Sequence, residues 1–179
     1  MTLSDKQRGV MKGMASGAII ALLGLVLGIA YSPISLMQGA SIGERLAFVL
    51  KADILIAAWL AISIGRLARH RFFTPEDIDG GGLTVGSQQA QVLQSILQNT
   101  LEQSVIAVFV HMIWVVVMPI SWAPAVLAAA IMFFVGRALF AIGYEKGASS
   151  RALGFALTFY PTMLMLVIII IKAVLELME

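Results

Sequence analysis

Cysteine is absent from the 179-residue sequence, and charged residues make up only 12% of it. Without cysteine the chain has no disulfide framework, no thiolate metal site and no cysteine nucleophile, so any thiol that it uses must come from a ligand. Hydrophobic residues make up 60% of the chain, and the mean hydropathy is +0.94. A soluble globular protein is about half apolar and a quarter charged, so an ordinary soluble domain is excluded.

The apolar residues are gathered in five runs, each close to the ~20 residues that a helix needs to cross the hydrocarbon core. Inside lipid every backbone polar group must be satisfied internally, so the runs are either helices or the strands of a closed barrel. They lack the alternation of barrel strands, and we therefore predict an all-α integral membrane protein with five spans. The predicted spans are 14–33, 46–66, 96–118, 123–143 and 152–175.

Lysine and arginine near the ends of the spans predict the orientation of the chain. Five spans place most of them on one side, namely Lys6, Arg8, Lys12, Arg66, Arg69, Arg71, Lys146 and Arg151. The other side has only Arg45, Lys51 and Lys172. We therefore expect a multi-pass protein with its N-terminus in the cytoplasm, in a bacterial inner membrane, with lipid as a partner. The formal net charge of +2 gives no reason to expect a nucleic-acid partner.

The third predicted helix carries a polar face at its cytoplasmic end, and it is expected to begin near Gly86, beyond the membrane. Its polar residues recur at spacings of three and four, which place them on one face: Gln88, Gln91, Ser95, Asn99 and Glu102. Intramembrane ionisable groups are costly and usually serve a site, so Asn99 and Glu102 are candidate site residues. The glutamines are explained more simply as part of a solvated extension.

Arg137 lies about two turns inside the fourth predicted helix, where it needs a partner. Glu102 is the nearest candidate by depth, and a structural pair that fixes helix rotation explains the two residues as well as a functional site does. Arg137, Phe140 and Tyr144 share one helix face. Tyr144 is also explained as an interfacial anchor, and Arg151 as one more cytoplasmic basic residue.

Three further polar positions favour structural explanations. His111 lies about 180° around its helix from Glu102 and has no metal-ligand companion, so we expect a packed or hydrogen-bonded histidine. Asp53 lies near the outer end of its span, where we expect hydration rather than an ion site. The stretch from Asp77 to Gly80 lacks the third acidic ligand and the distal glutamate of a calcium loop, and no metal site is expected.

Short motifs resemble the MAPEG family, the membrane-associated proteins of eicosanoid and glutathione metabolism. The stretch 98–103 is similar to the family's Asn-x-x-Glu, and 136–144 with the later Arg151 is similar to its Arg-x-x-x-x-x-Gly-Tyr and following arginine. The stretch 66–72 resembles the basic end of the family's first helix, so that the match covers 47–175. The resemblance implies a four-helix membrane domain over 46–179. Residues 1–45 would form a cytoplasmic segment, an extra transmembrane helix and an outer loop.

The resemblance implies a homotrimer that binds glutathione as a co-substrate between neighbouring subunits. Asn99 and Glu102 would hold the glutathione peptide, Tyr144 would add a hydroxyl, and Arg151 would stabilise the thiolate. A thiol has a pKa of about 8.5, and an adjacent cation favours its anion. Arg137 would belong to the glutathione-binding set, and Arg69 would reach the site from a neighbour. The implied activity is a glutathione-dependent transferase or peroxidase reaction on lipophilic electrophiles.

Three positions depart from the family pattern. Ser95 stands where many members have an arginine that pairs with a glutathione carboxylate, and Phe140 and Gln103 replace other expected residues. The loss of an arginine removes one of the strongest carboxylate contacts. Two alternatives therefore stay open: a non-catalytic membrane protein with the same fold, and a small transporter that uses Glu102 and Arg137 as a charge relay.

Overall fold

The structure is a computed structural model that describes residues 2–30 and 39–178. The described residues are 85% helical and contain no strand. Short 3-10 turns, Pro75–Asp77 and Ile120–Trp122, precede two of the helices. The α-helices of the described ranges are α1 (Asp5–Ala30), α2 (Ile42–Ala52), α3 (Ile54–Phe73), α4 (Gln88–Val117), α5 (Pro124–Gly143) and α6 (Ala148–Leu177).

Within residues 2–30 and 39–178, five helical segments are long and apolar enough to cross a membrane, which confirms the prediction of an all-α membrane protein with five spans. Helices α2 and α3 count as one of them, Ile42–Phe73, with a break at Asp53. Helix α1 begins well before the predicted residue 14, so its basic residues lie on the helix itself. The predicted end of that span, 31–33, lies outside the described residues.

Capping explains where two of the helices begin. Ser41 forms a capping box with Glu44, whose carboxylate accepts the Ser41 N–H at 2.8 Å, so α2 begins at Ile42. The Ser87 hydroxyl accepts the N–H of Ala90 at 3.2 Å, so α4 begins at Gln88, close to the predicted start. Because α4 has 30 residues, it is about 45 Å long and exceeds the ~30 Å hydrocarbon core.

Helix α1 packs along α6 through a stripe of glycines. A Cβ added at Gly13 would lie 2.8 Å from the Ala152 Cβ, and one added at Gly17 would lie 2.3 Å from the Ala156 Cβ. Small residues of this kind let two backbones approach closely inside a membrane. The first half of α1 is thereby held beside the first half of α6, at the end of the bundle that carries most of the basic residues. We call this end the basic end.

A buried ionisable pair lies at the break between α2 and α3. The Asp53 Oδ1 and the His111 Nδ1 are 2.7 Å apart, and the two side chains are 6% and 1% exposed. The expectation of a hydrogen-bonded His111 is confirmed. The expectation that Asp53 is hydrated is wrong, because α4 packs over the break and encloses the carboxylate.

Candidate functional site

The hairpin of α5 and α6 brings Tyr144 and Arg151 together at the basic end. A Cβ added at Gly143 would lie 2.5 Å from the Ser150 carbonyl oxygen, so the two helices meet at a distance that only glycine permits. The turn itself uses a positive φ of 100° at Gly147. As a result, the Arg151 guanidinium carbon lies 4.2 Å from the centroid of the Tyr144 ring, in cation–π contact.

Arg137 is enclosed between α4, α5 and α6, with 1% of its surface exposed. Its Nη1 donates to the Asn99 Oδ1 at 2.8 Å, and its Nη2 donates to the Thr158 Oγ1 at 2.6 Å. The guanidinium also lies over the Phe140 ring, 4.5 Å from the centroid. A buried charge needs such partners, and here neutral oxygens and an aromatic face supply them.

The expected pair between Arg137 and Glu102 is not formed. Asn99 and Glu102 are three residues apart on one face of α4, offset by about 60° around the helix axis. Asn99 lies on the side of that face that contacts Arg137, and Glu102 lies on the exposed side. Glu102 lies on an exposed face of α4, where its Oε1 accepts a hydrogen bond from Gln98 at 2.9 Å. Depth in the membrane was a poor guide because it ignores this offset.

A cavity of about 320 Å³ opens beside Tyr144 and Arg151. It brings three of the predicted site residues together, Asn99 from α4 with Tyr144 and Arg151. Two positions that depart from the family pattern, Ser95 and Phe140, lie on its wall. The remaining lining residues are Val10, Met14, Ala148, Ala152 and Phe155.

The bond from Arg137 determines what Asn99 offers to a ligand. Because the Asn99 Oδ1 accepts a hydrogen bond from Arg137, this bond identifies which atom of the Asn99 side-chain amide is the oxygen and which is the nitrogen. The Asn99 side chain therefore presents N–H donors to the cavity. With the Arg151 cation and the Tyr144 hydroxyl, these donors suit a ligand that carries carbonyl oxygens and an anionic atom.

The other predicted site residues lie elsewhere in the described chain. Arg137 is behind Asn99 rather than on the cavity wall, and Glu102 is on the exposed face of α4. Arg69 lines a separate cavity of about 350 Å³ at the basic end, together with Arg66 and His70. The single chain thus assembles Asn99, Tyr144 and Arg151 and separates the rest.

Sequence reasoning missed Thr158 and the contribution of α1. Thr158 follows Arg151 by seven residues, a spacing that places both on one face of α6, so this signal was present in the sequence. Val10 and Met14 carry no comparable signal, because apolar residues on a membrane helix face lipid, protein or ligand equally well.

A second polar cluster joins α3 to the start of α4. The Asp77 Oδ1 accepts the Ser87 N–H at 2.7 Å and its Oδ2 accepts the Ser87 hydroxyl at 2.6 Å, while the His70 Nε2 lies 2.8 Å from the same Oδ2. The hydrogen bonds from Ser87 and the neighbouring His70 lower the pKa of Asp77 below its ordinary value.

These are the residue types of a nucleophilic triad, but the arrangement differs. A triad histidine contacts its aspartate through one nitrogen and its serine through the other. Here the His70 Nε2 lies near both Asp77 and the Ser87 hydroxyl, which is 3.3 Å away. Ser87 also caps α4. The cluster therefore anchors the connection between α3 and α4.

Comparison with known proteins places the cavity in a family context. A family model described as the MAPEG family matches residues 46–171, a region that contains Asn99, Arg137, Tyr144 and Arg151 and leaves α1 outside. This match confirms the resemblance seen in the short motifs. No curated protein and no solved structure matches the chain.

Proposed function

The chain belongs to the MAPEG family, and on that premise we propose that it is a membrane-bound, glutathione-dependent transferase or peroxidase acting on lipophilic electrophiles. The observation that carries this proposal is the cavity in which Asn99, Tyr144 and Arg151 meet. These are the positions at which the motifs of this chain match the glutathione-binding pattern of the family. The site lies at the basic end, which the positive-inside rule assigns to the cytoplasm.

Each side chain has a role that its surroundings support. Arg151 stabilises the thiolate of glutathione, since an adjacent cation favours the anion. Tyr144, held under the Arg151 guanidinium, offers its hydroxyl to the same sulfur. Asn99 donates its N–H groups to a carbonyl oxygen of the glutathione peptide. Arg137 is assigned here as a positioning residue that fixes Asn99, in place of the direct contact expected from the motif.

The chemistry follows from a thiolate at the edge of an apolar compartment. In transfer, the sulfur forms a bond to an electrophilic carbon, and the electron pair of the broken bond leaves with the displaced group as an anion, such as chloride. In peroxide reduction, two glutathione molecules are oxidised to the disulfide, while the hydroperoxide becomes an alcohol and water. Both reactions need only a positioned thiolate and access from the bilayer.

Assembly as a homotrimer is proposed on the exposed face of α4. The exposed residues of this face follow one another at spacings of three or four positions. This spacing is typical of the contact line along which a helix packs against a copy of itself. An exposed glutamate facing lipid is costly, whereas a subunit interface would enclose Glu102 and let it reach glutathione as the family pattern implies. The seam comprises Gln91, Ser95, Gln98, Glu102, Val105, Phe109, Ile113 and Val116.

The same assembly accounts for the missing arginine at position 95. The Ser95 hydroxyl donates to the Gln91 carbonyl at 2.8 Å, so it provides no cation for a glutathione carboxylate. Arg66 and Arg69 line their own cavity at the basic end. In a trimer we propose that Arg69 of a neighbouring subunit supplies that cation.

The test is glutathione turnover by purified protein in liposomes, with chlorodinitrobenzene for transfer and cumene hydroperoxide for reduction. We expect activity with at least one electrophile, its loss in Arg151→Ala, and its retention in Lys146→Ala, which removes an exposed cation from the same turn. Equal rates in the two variants, or turnover with neither electrophile, would contradict the proposal. Proton flux across the vesicles that Glu102→Gln abolishes would favour the transporter instead.

A further inference from the structure

Helix α1, which lies outside the region matched by the family, forms one wall of an apolar groove of about 560 Å³ against α6. The residues of α1 that line the groove occupy one broad side of the helix. They are Lys6, Gln7, Val10, Met11, Met14, Ala15 and Ala18; Leu3, just before the helix, also lines the groove, and α6 contributes Ala148 and Tyr160.

The groove adjoins the Arg151 cavity. Val10, Met14 and Ala148 line both spaces, so the near end of the groove lies beside the cavity that Arg151 lines. Ala148 and Tyr160, the α6 residues in the groove lining, are about 18 Å apart along the helix at about 1.5 Å per residue. Its walls are almost entirely apolar along this length.

The position of α1 is determined by close packing rather than by chance contact with lipid. The glycines that meet Ala152 and Ala156 leave no space for a larger side chain, so α1 cannot slide or rotate without a clash. Val10 and Met14 are therefore held at the mouth of the cavity. Lys6 also lines the groove, and it contributes a positive charge at the end of the groove nearest the basic end of the bundle.

Resting on the function proposed above, we propose that this groove binds the aliphatic chain of the electrophile, so that α1 determines which chain lengths the protein uses. The reactive carbon lies between Val10 and Met14, within reach of the thiolate, and the chain extends toward Ala18 and Tyr160. The occupant is the chain of the co-substrate rather than of a bulk lipid, because the groove adjoins the Arg151 cavity. Because a methylene in the bilayer is already out of water, the preference for a chain length comes from how well the chain packs against the groove walls.

An α,β-unsaturated aldehyde of variable length is a suitable probe. The thiolate sulfur bonds to the β-carbon, the electrons of the double bond move to the carbonyl oxygen, and water protonates the α-carbon, so no further reactant is needed. We expect kcat/KM of the native protein to rise with chain length until the groove is filled.

The diagnostic variant is Ala18→Phe, which fills the far end of the groove, with Ile19→Phe as its control. Ile19 is 60% exposed and adjacent in sequence, but it does not line the groove. We expect Ala18→Phe to lower the ratio of long-chain to short-chain kcat/KM about tenfold, since the phenyl ring occupies the space of the chain end and overpacking costs of this size are typical, while Ile19→Phe keeps the native ratio. An equal ratio in all three proteins would overturn the inference.

A second measurement separates this inference from the proposed function. A long-chain aldehyde with a photoreactive diazirine at its tail is cross-linked to the protein, and the labelled residues are mapped by mass spectrometry. Labelling of peptides around Ala18 and Tyr160, competed by unlabelled aldehyde but not by excess phospholipid, supports the groove even if turnover fails. Even labelling of the whole lipid-facing surface, in a protein that still binds glutathione, overturns the groove and leaves the function intact.

Discussion

The buried guanidinium of Arg137 donates a 2.8 Å hydrogen bond to the Oδ1 of Asn99, and Asn99 in turn lines the cavity beside Arg151. This relationship separates two kinds of residue that the sequence pattern groups together: those that line the cavity, and those that hold the lining residues from behind.

Asn99→Asp is expected to preserve the fold and weaken glutathione binding. The carboxylate keeps an acceptor for Arg137, so the thermal stability does not fall, but the N–H donors in the cavity are lost. A buried acceptor left without its donor costs about 1–3 kcal/mol, which is about tenfold or more in affinity. Titration calorimetry with glutathione measures this loss.

Gln94→Glu is the matched control for that variant. It makes the same chemical change on the same helix, in a residue whose Oε1 also accepts from an arginine, Arg71, at 3.2 Å. Gln94 lies outside the Arg151 cavity, so its variant should bind glutathione as the native protein does. Equal affinities for Asn99→Asp and Gln94→Glu would show that Asn99 does not contact the ligand.

Gly143→Ala is expected to reduce turnover more than it reduces glutathione binding. The added methyl would lie 2.5 Å from the Ser150 carbonyl oxygen and 3.1 Å from the backbone nitrogen of Arg151, so the start of α6 must move. A displacement of about 1 Å at a reacting group costs up to about a hundredfold in rate. At Gly65 an added Cβ meets nothing within 4 Å, and Gly65→Ala should keep native kcat. Equal kcat values would contradict this account.

The pair of Asp53 and His111 is expected to show strong coupling in a double-mutant cycle. Removing one partner leaves the other buried without its hydrogen bond, at a cost of about 1–3 kcal/mol. Replacing both by leucine should restore most of the loss, because replacing both partners of a buried polar pair by apolar groups is often nearly neutral. Unfolding of His111→Leu, Asp53→Leu and the double variant in detergent measures the coupling, and additive effects would show that the pair contributes nothing.

The connection between α3 and α4 is expected to loosen in acid. The pKa of Asp77 is lowered in the folded protein, so its carboxylate stabilises the connection above the unfolded pKa of about 3.9. That stabilisation is lost as the pH falls through the lower folded value. The hydrogen-exchange protection factors over 74–87, which are corrected for the intrinsic pH dependence of exchange, should therefore fall below about pH 4. Asp77→Asn should lower them at neutral pH, whereas Asp79→Asn, at an exposed position, should not.

The spans could be predicted from the sequence because the energetics of the bilayer depend on hydropathy and length alone. The start of α4 was predictable for a local reason, since Ser87 has the side chain of an N-cap. The start of α1 was placed too late, because Lys6 and Lys12 are charged and lie on a helical extension beyond the apolar run.

The candidate site was predictable only as far as its motifs. Asn99, Tyr144 and Arg151 line one cavity, but the partner of Arg137 could not be deduced from depth. Asn99 and Glu102 differ by less than one turn in depth, and only the packing of α5 against α4 determines which of them contacts Arg137. The burial of Asp53 depends on α4 packing over a helix break, a tertiary contact without a sequence signal. The role of α1 in the cavity was hidden for the same reason.

The most direct test of the central claim is the ultraviolet thiolate absorbance of glutathione bound to detergent-purified protein, followed across pH, with Arg151→Ala as the control. The account predicts a thiolate that forms well below about pH 8.5, the pKa of a free thiol, in the native protein and not in the variant. Absence of binding at millimolar glutathione, or a thiolate titration identical in the two proteins, would contradict it.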